Sequence, residues 1–254
     1  MTRIFITGSA DGLGRLAAQI LIDEGHDVVL HARSKERAPA LADIAPRAVG
    51  IVTGDLASAA ETRALADQVN RLGRMDAVIH NAGSYGRSRE ATSEGHARTL
   101  TVNTLAPYLL TALIERPKRL VYLSSGMHLS AKGSLEDIDW NERRFDASLA
   151  YSESKLFVTA LAFALARRWP DVLSSAVNPG WVPTKMGGAN APDDLEKGAL
   201  TQTWLATSDD PEACESGGYW YHRTRQKPAP EVPDPRFQDR LIAKLAEMTD
   251  VKLQ

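Results

Sequence analysis

Residues 3–14, Arg3-Ile4-Phe5-Ile6-Thr7-Gly8-Ser9-Ala10-Asp11-Gly12-Leu13-Gly14, set a short apolar run directly against a glycine-rich turn. Beyond it Leu16, Ala17, Ile20 and Leu21 recur at helical spacing, so the stretch reads as strand, tight turn and helix. Glycines let backbone N–H groups approach a pyrophosphate, and the helix N-terminus adds partial positive charge. The loop is therefore expected to bind a dinucleotide through Gly8, Asp11, Gly12, Leu13 and Gly14. Glycine turns also form for conformational reasons alone; the position between first strand and first helix is what favours binding here. The spacing departs from the usual Rossmann fingerprint, with three residues between Gly8 and Gly12 and one between Gly12 and Gly14.

The pattern repeats outward. Asp27 to Ala32, Val49 to Thr53, Asp76 to His80, Leu120 to Leu123, Leu173 to Val177 and Gly217 to Tyr221 read as further strands. Helical periodicity intervenes around Leu65-Val69-Leu72, from His96 to Ile114, from Ala150 to about Trp169, and from Glu196 to Ala206. Such alternation predicts a single α/β, Rossmann-like, doubly wound domain over 1–254, with about seven mostly parallel strands and helices on both faces. Ligands bind such sheets outside the strand C-terminal ends, where Asp55-Leu56, Asn81-Ala82-Gly83, Ser124-Ser125 and Asn178-Pro179-Gly180 fall. Asp, Asn and Gly also suit ordinary strand-to-loop turns. Arg33 lies just past the second strand, where an arginine accommodates a ribose 2′-phosphate, and Ser34 is placed to cap the next helix. The reading for Arg33 otherwise is a solvated turn residue. Residues 126–149 form an insert expected to be an extended functional loop, 185–200 a substrate lid, and 226–254 a C-terminal extension with a final amphipathic helix.

With 43% hydrophobic and 24% charged residues, the chain can build an ordinary core, and its net charge of −2 provides no global field toward nucleic acid or a membrane surface. One cysteine, Cys214, excludes an internal disulfide framework and a multi-cysteine metal site. No stretch of 18 consecutive apolar residues or signal-like N-terminus is seen, so no membrane span is expected and a cytoplasmic protein is. The broad apolar surface of the helix beginning at Ala150 suits either core or subunit contact, which keeps a homo-oligomer among the expected partners.

Four residues along a helix bring Tyr151 and Lys155 onto one face, about a turn apart. An adjacent ammonium favours a phenolate, which makes Tyr151 a candidate acid/base. The same spacing also arises with a half-buried tyrosine and a solvated lysine.

Taken together, Thr7-Gly8-x3-Gly12-x-Gly14, Asn81-Ala82-Gly83, Ser125, Tyr151-x3-Lys155 and Pro179-Gly180-x3-Thr184 strongly resemble the short-chain dehydrogenase/reductase family, from Ile4 to about Tyr221. The resemblance implies an oxidoreductase using NADP(H) or NAD(H) and no metal. It implies that Ser125 hydrogen-bonds the substrate oxygen and that Tyr151 exchanges the proton. Lys155 would lower the Tyr151 pKa and hold the nicotinamide ribose, with Asn103 as a fourth active-site residue that organises a helix irregularity. Thr184 and the backbone near Val182 would hold the carboxamide, and Asp55 with Leu56 would border the adenine. Arg33 points to NADP(H) preference, with Asp11 the departure, since many NADP-preferring relatives carry a basic residue in that loop.

Twenty-six positions separate Ser125 from Tyr151, similar to the retinol-dehydrogenase-like and carbonyl-reductase-like branches. Those branches act on lipophilic ketones, aldehydes and alcohols, the expected small-molecule substrate class. Met127, His128, Leu129, Trp140, Trp181 and Met186 are the candidate walls of an apolar pocket or, alternatively, loop packing. The rival function is a catalytically silent dinucleotide sensor on the same fold.

Overall fold

The computed structural model describes residues 1–253. Seven strands lie in parallel, β1 (Arg3–Ile6), β2 (Asp27–Ala32), β3 (Gly50–Thr53), β4 (Ala77–His80), β5 (Arg119–Leu123), β6 (Leu173–Asn178) and β7 (Gly218–Tyr221), and β8 (Thr224–Arg225) adds an antiparallel edge. The order in the sheet is β3-β2-β1-β4-β5-β6-β7-β8. Chain direction across the sheet reverses between β1 and β4, which opens the ligand crevice there.

The apolar strand runs follow from burial on both faces. Ile4 and Ile6 pack with Leu21, Leu205 and Trp220, whereas Phe5 between them packs with Leu65, Tyr108 and Leu156. The helices are α1 (Gly12–Asp23), α2 (Ala59–Arg71), α3 (Arg98–Leu100), α4 (Ala106–Leu113), α5 (Ala147–Arg168), α6 (Leu195–Thr207) and α7 (Pro235–Thr249). The first cluster takes α1 and α6, and the second takes α2, α4, α5 and α7. Every residue of α5 from Ala150 to Leu165 except Phe163 is buried. Phe157 stacks on Phe237 of α7 with ring centroids 6.5 Å apart, so the apolar surface of α5 is core. Although α5 has the length and composition of a membrane span, 83% of its most apolar window is buried.

Several local expectations are corrected. The helix expected over 96–114 runs from Arg98 to Leu113 and widens into a π-turn at Thr101–Leu105 between α3 and α4, where the resemblance implied an irregularity at Asn103. The segment after Ser34 is a 3₁₀ turn, Lys35–Leu41, holding Pro39; Ser34 sits at its N-cap without a capping hydrogen bond. Proline removes a main-chain donor, which disfavours a regular helix there. The 126–149 insert is a loop over 131–146, flanked by a 3₁₀ turn at Gly126–Ser130 and by α5 from Ala147, and it buries Leu135, Ile138 and Trp140. Of the expected 185–200 lid, Leu195 onward belongs to α6, whose N-cap Asp194 accepts from Lys197 N–H and whose Ala199 is fully buried. Only 185–194 has loop character.

Candidate active site

Asp146 caps α5 by accepting from Leu149 N–H at 2.8 Å, and the helix then delivers Tyr151 and Lys155 to one face. Lys155 is 4% exposed, and its Nζ donates to the Leu123 carbonyl at the end of β5 at 2.7 Å. That ammonium lies 5.6 Å from the centroid of the Tyr151 ring. Ser125 follows β5, and its Oγ accepts from Met127 N–H at 3.2 Å. Burial raises the Tyr151 pKa to about 12, partly offset by a hydrogen bond with Ser125, and burial lowers Lys155 to about 8. The expected lowering of Tyr151 by Lys155 is therefore outweighed: the phenol is desolvated, and the ammonium is turned to a carbonyl. A phenol at about 12 stays protonated through the neutral range, which suits a proton donor.

The π-turn points Asn103 across the crevice wall. Its Oδ1 accepts from Ser84 N–H at 2.7 Å, and its Nδ2 donates to the Ser84 carbonyl and to Ser154 Oγ, each at 2.9 Å. Ser154 Oγ donates to the Tyr151 carbonyl at 2.7 Å, so Asn103 ties the loop after Gly83 to the Tyr151 turn of α5.

On the other side lies the glycine cradle, where Gly8 (φ 68°) and Gly12 (φ 49°) hold left-handed conformations. A Cβ on Gly14 would fall 2.5 Å from the Gly8 carbonyl oxygen and 2.3 Å from Asn81 Nδ2, so backbone closure itself requires glycine. Asp11 caps α1 through Gly12 N–H at 2.9 Å, and Leu13 packs against Gly198. Asn81 Nδ2 donates to the Thr7 carbonyl at 2.9 Å, Ala82 N–H donates to Thr7 Oγ1 at 3.0 Å, and Asn81 Oδ1 is buried without a partner. A Cβ on Gly83 would lie 3.6 Å from both Asn103 Oδ1 and Lys155 Nζ. These open backbone surfaces and the buried acceptor fit a dinucleotide running from the α1 N-terminus to Lys155.

The remaining expected residues gather around this cradle. Thr184 touches Gly12, Val182 is buried beside Gly198, and Gly180 (φ 87°) donates its N–H to Asn178 Oδ1 at 3.0 Å. The Pro179 carbonyl faces Gly198 of α6. Asp55 accepts from Ala57 N–H at 2.9 Å and pairs with Arg98 at 3.5 Å; Leu56 is buried next to it. Arg33 is exposed and has no ion pair or hydrogen bond among the described residues.

Sequence reasoning missed several contributors. Buried His31 accepts from Gly8 N–H at Nδ1 (2.9 Å) and meets the Gly54 carbonyl at Nε2 (2.9 Å), tying the glycine loop to β3. Lys185 bonds to Asp11, and Arg37 lies 3.9 Å from the same carboxylate, whose pKa is lowered chiefly by Lys185. Tyr85 stands over the site, its ring centroid 5.1 Å from that of Tyr151. Leu129, Trp181 and Met186 are exposed as candidate pocket walls must be, but His128 and Trp140 are buried and face away from solvent. Trp140 packs instead under the Arg143 guanidinium at 3.6 Å and edge-on to Phe145.

Comparison with known proteins adds to this geometry. A family model described as short chain dehydrogenase matches residues 2–126. The short-chain dehydrogenase chyC of Penicillium rubens is 42% identical, over 100% of this chain and 99% of that protein. A Streptomyces protein provisionally named daunorubicin C-13 ketoreductase DnrU is 33% identical, over 96% of this chain and 90% of its own. The crystal structure of an uncharacterized Mycobacterium Paratuberculosis protein superposes with a TM-score of 0.87 at 25% identity, covering 100% of this chain and 95% of the other.

Proposed function

This chain belongs to the short-chain dehydrogenase/reductase family of nicotinamide-dependent oxidoreductases, and on that premise we propose that it reduces lipophilic ketones or aldehydes to the corresponding alcohols with NADPH. The observation that carries the reading is the buried, protonated Tyr151 phenol, hydrogen-bonded by Ser125 and flanked by the Tyr85 ring; the exposed Leu129, Trp181 and Met186 are the apolar side chains offered to a lipophilic substrate. When bound, the nicotinamide supplies hydride to the carbonyl carbon. Ser125 orients the carbonyl oxygen and Tyr151 gives it a proton. Lys155, whose ammonium lies 5.6 Å from the Tyr151 ring centroid, would hold the nicotinamide ribose and offset the negative charge left on the phenol, and Asn103 holds the Tyr151 turn in place. The same groups serve alcohol oxidation in reverse. The ketoreductase name of a 33% identical relative agrees with this direction.

NADPH consumption over a panel of lipophilic ketones and aldehydes tests the reading. Turnover of at least one is expected; tight cofactor binding with silence across a broad panel overturns it in favour of a dinucleotide-binding sensor.

The cofactor preference rests on Arg33, exposed past β2 and without a partner among the described residues. Asp11 would repel a phosphate, but Lys185 and Arg37 compensate its charge. A guanidinium pairs with phosphate through two charge-assisted hydrogen bonds, worth roughly 1.5 to 3 kcal/mol net, so kcat/KM should favour NADPH over NADH on the order of 10- to 100-fold. In Arg33→Ala the ratio should fall toward unity with NADH kinetics little changed. Equal loss for both cofactors would show that Arg33 does not read the 2′-phosphate.

A further inference from the structure

His128 is fully buried and bridges two parts of the chain that sequence places far apart. Its Nδ1 lies 2.8 Å from the Ser125 carbonyl, and its Nε2 lies 3.1 Å from Ala229 N of the C-terminal extension. The Ala229 N–H can only donate, so Nε2 must be the acceptor; the proton then sits on Nδ1 and is donated to Ser125. Burial keeps the imidazole below its usual pKa, hence neutral, with Glu231 the nearby charge, and Tyr219 meets its ring edge-on at 4.7 Å. The other bond to the Ser125 carbonyl, from His128 N–H at 3.1 Å, belongs to the same short turn. The imidazole therefore ties the Ser125 end of that turn to the C-terminal extension, while Ser130 Oγ at its other end meets Ser152 Oγ of α5 at 3.4 Å.

We propose that His128 is a positioning residue: through Ala229 it fixes the main chain of Ser125, so that the hydroxyl meets the substrate oxygen beside Tyr151. The proposal rests on the reductase reading for the role of Ser125. It also gives residues 226–234 a task in the site, beyond leading the chain to α7.

The test uses the full-length protein and three variants. His128→Leu removes both bonds. His128→Asn keeps an amide N–H near the Nδ1 position, and His128→Gln keeps an acceptor near Nε2. His128→Leu should lower kcat about 10- to 100-fold, the scale of a misplaced catalytic group, with NADPH Kd within about twofold. His128→Asn and His128→Gln each keep one end of the tether only, so each should recover part of the melting temperature while kcat stays near that of His128→Leu. If kcat simply follows melting temperature across the three, His128 is structural filler and the proposal fails. Long-range ¹H–¹⁵N correlation on the parent needs no turnover: an Nδ1–H imidazole supports the tether, and an Nε2–H imidazole overturns it. Failure of carbonyl reduction is thus distinguishable from failure of the His128 assignment.

Discussion

Tyr151→Phe should lower kcat for carbonyl reduction by about 10²- to 10⁴-fold, the contribution of a positioned general acid, while NADPH Kd stays within about twofold. The substitution deletes one proton-bearing oxygen and almost no volume, so the packing of α5 and the Lys155 bond to the Leu123 carbonyl have no cause to change. Ser125 would still orient the carbonyl, but its hydroxyl has no comparable acidity to give. Steady-state rates and cofactor fluorescence titration report the two quantities separately. A variant keeping more than about a tenth of parental kcat would remove the phenol from the mechanism.

Arg143→Ala should destabilise the fold by about 2 to 4 kcal/mol. Glu153 lies between Tyr151 and Lys155 on α5 yet is 1% exposed, and Arg143 from the preceding insert grips both its oxygens, with Nη1 2.9 Å from Oε1. The same guanidinium donates to the Asp137 carbonyl at 3.1 Å and covers Trp140. Removing one partner of a buried pair strands the other charge, commonly at about 3 to 5 kcal/mol; the partial exposure of Arg143 lets water recover some of that. Adding Glu153→Gln to Arg143→Ala should restore about half the loss, because a neutral amide is cheaper to bury than a carboxylate. Urea unfolding of the parent, the single variant and the double variant measures it. A single variant within about 0.5 kcal/mol of the parent would show that the pair does not anchor the insert.

What could be read from sequence divides along a physical line. Strands such as Ile4-Phe5-Ile6 are legible because both sheet faces are buried and every residue must be apolar. The glycine loop is legible because φ angles near those of Gly8 and Gly12 exclude most other residues. The π-turn around Asn103 is not legible from periodicity, since one wide turn inside an apolar run leaves the pattern nearly intact, and only the family resemblance pointed to an irregularity there. His31, Lys185 and His128 were missed or undervalued because their partners, Gly8, Asp11 and Ala229, are distant in sequence, and single residue types carry no record of long-range pairing. Trp140 looked like a pocket wall because an aromatic in a loop suits a binding site; its cation–π contact with Arg143 decided otherwise.

The eighth strand was also invisible, and it has a consequence for the molecule in concentrated solution. His222 and Arg223, both left-handed, turn the chain so that Trp220 pairs with Arg225 and Tyr221 with Thr224. Hairpin turns of this kind usually advertise themselves with Asn or Gly, and this one does not. The result is that Trp220 and Tyr221 of the four-residue β7 do not form the border of the sheet. A two-residue strand with an arginine bonded to Glu215 stands there instead. Such a short, charged border offers few free main-chain groups for a strand from another molecule to copy, so growth of intermolecular β-structure is blunted on that side, and on the opposite border the Gln68 amide occupies the N–H and carbonyl of Thr53 in β3, at 3.1 and 2.9 Å.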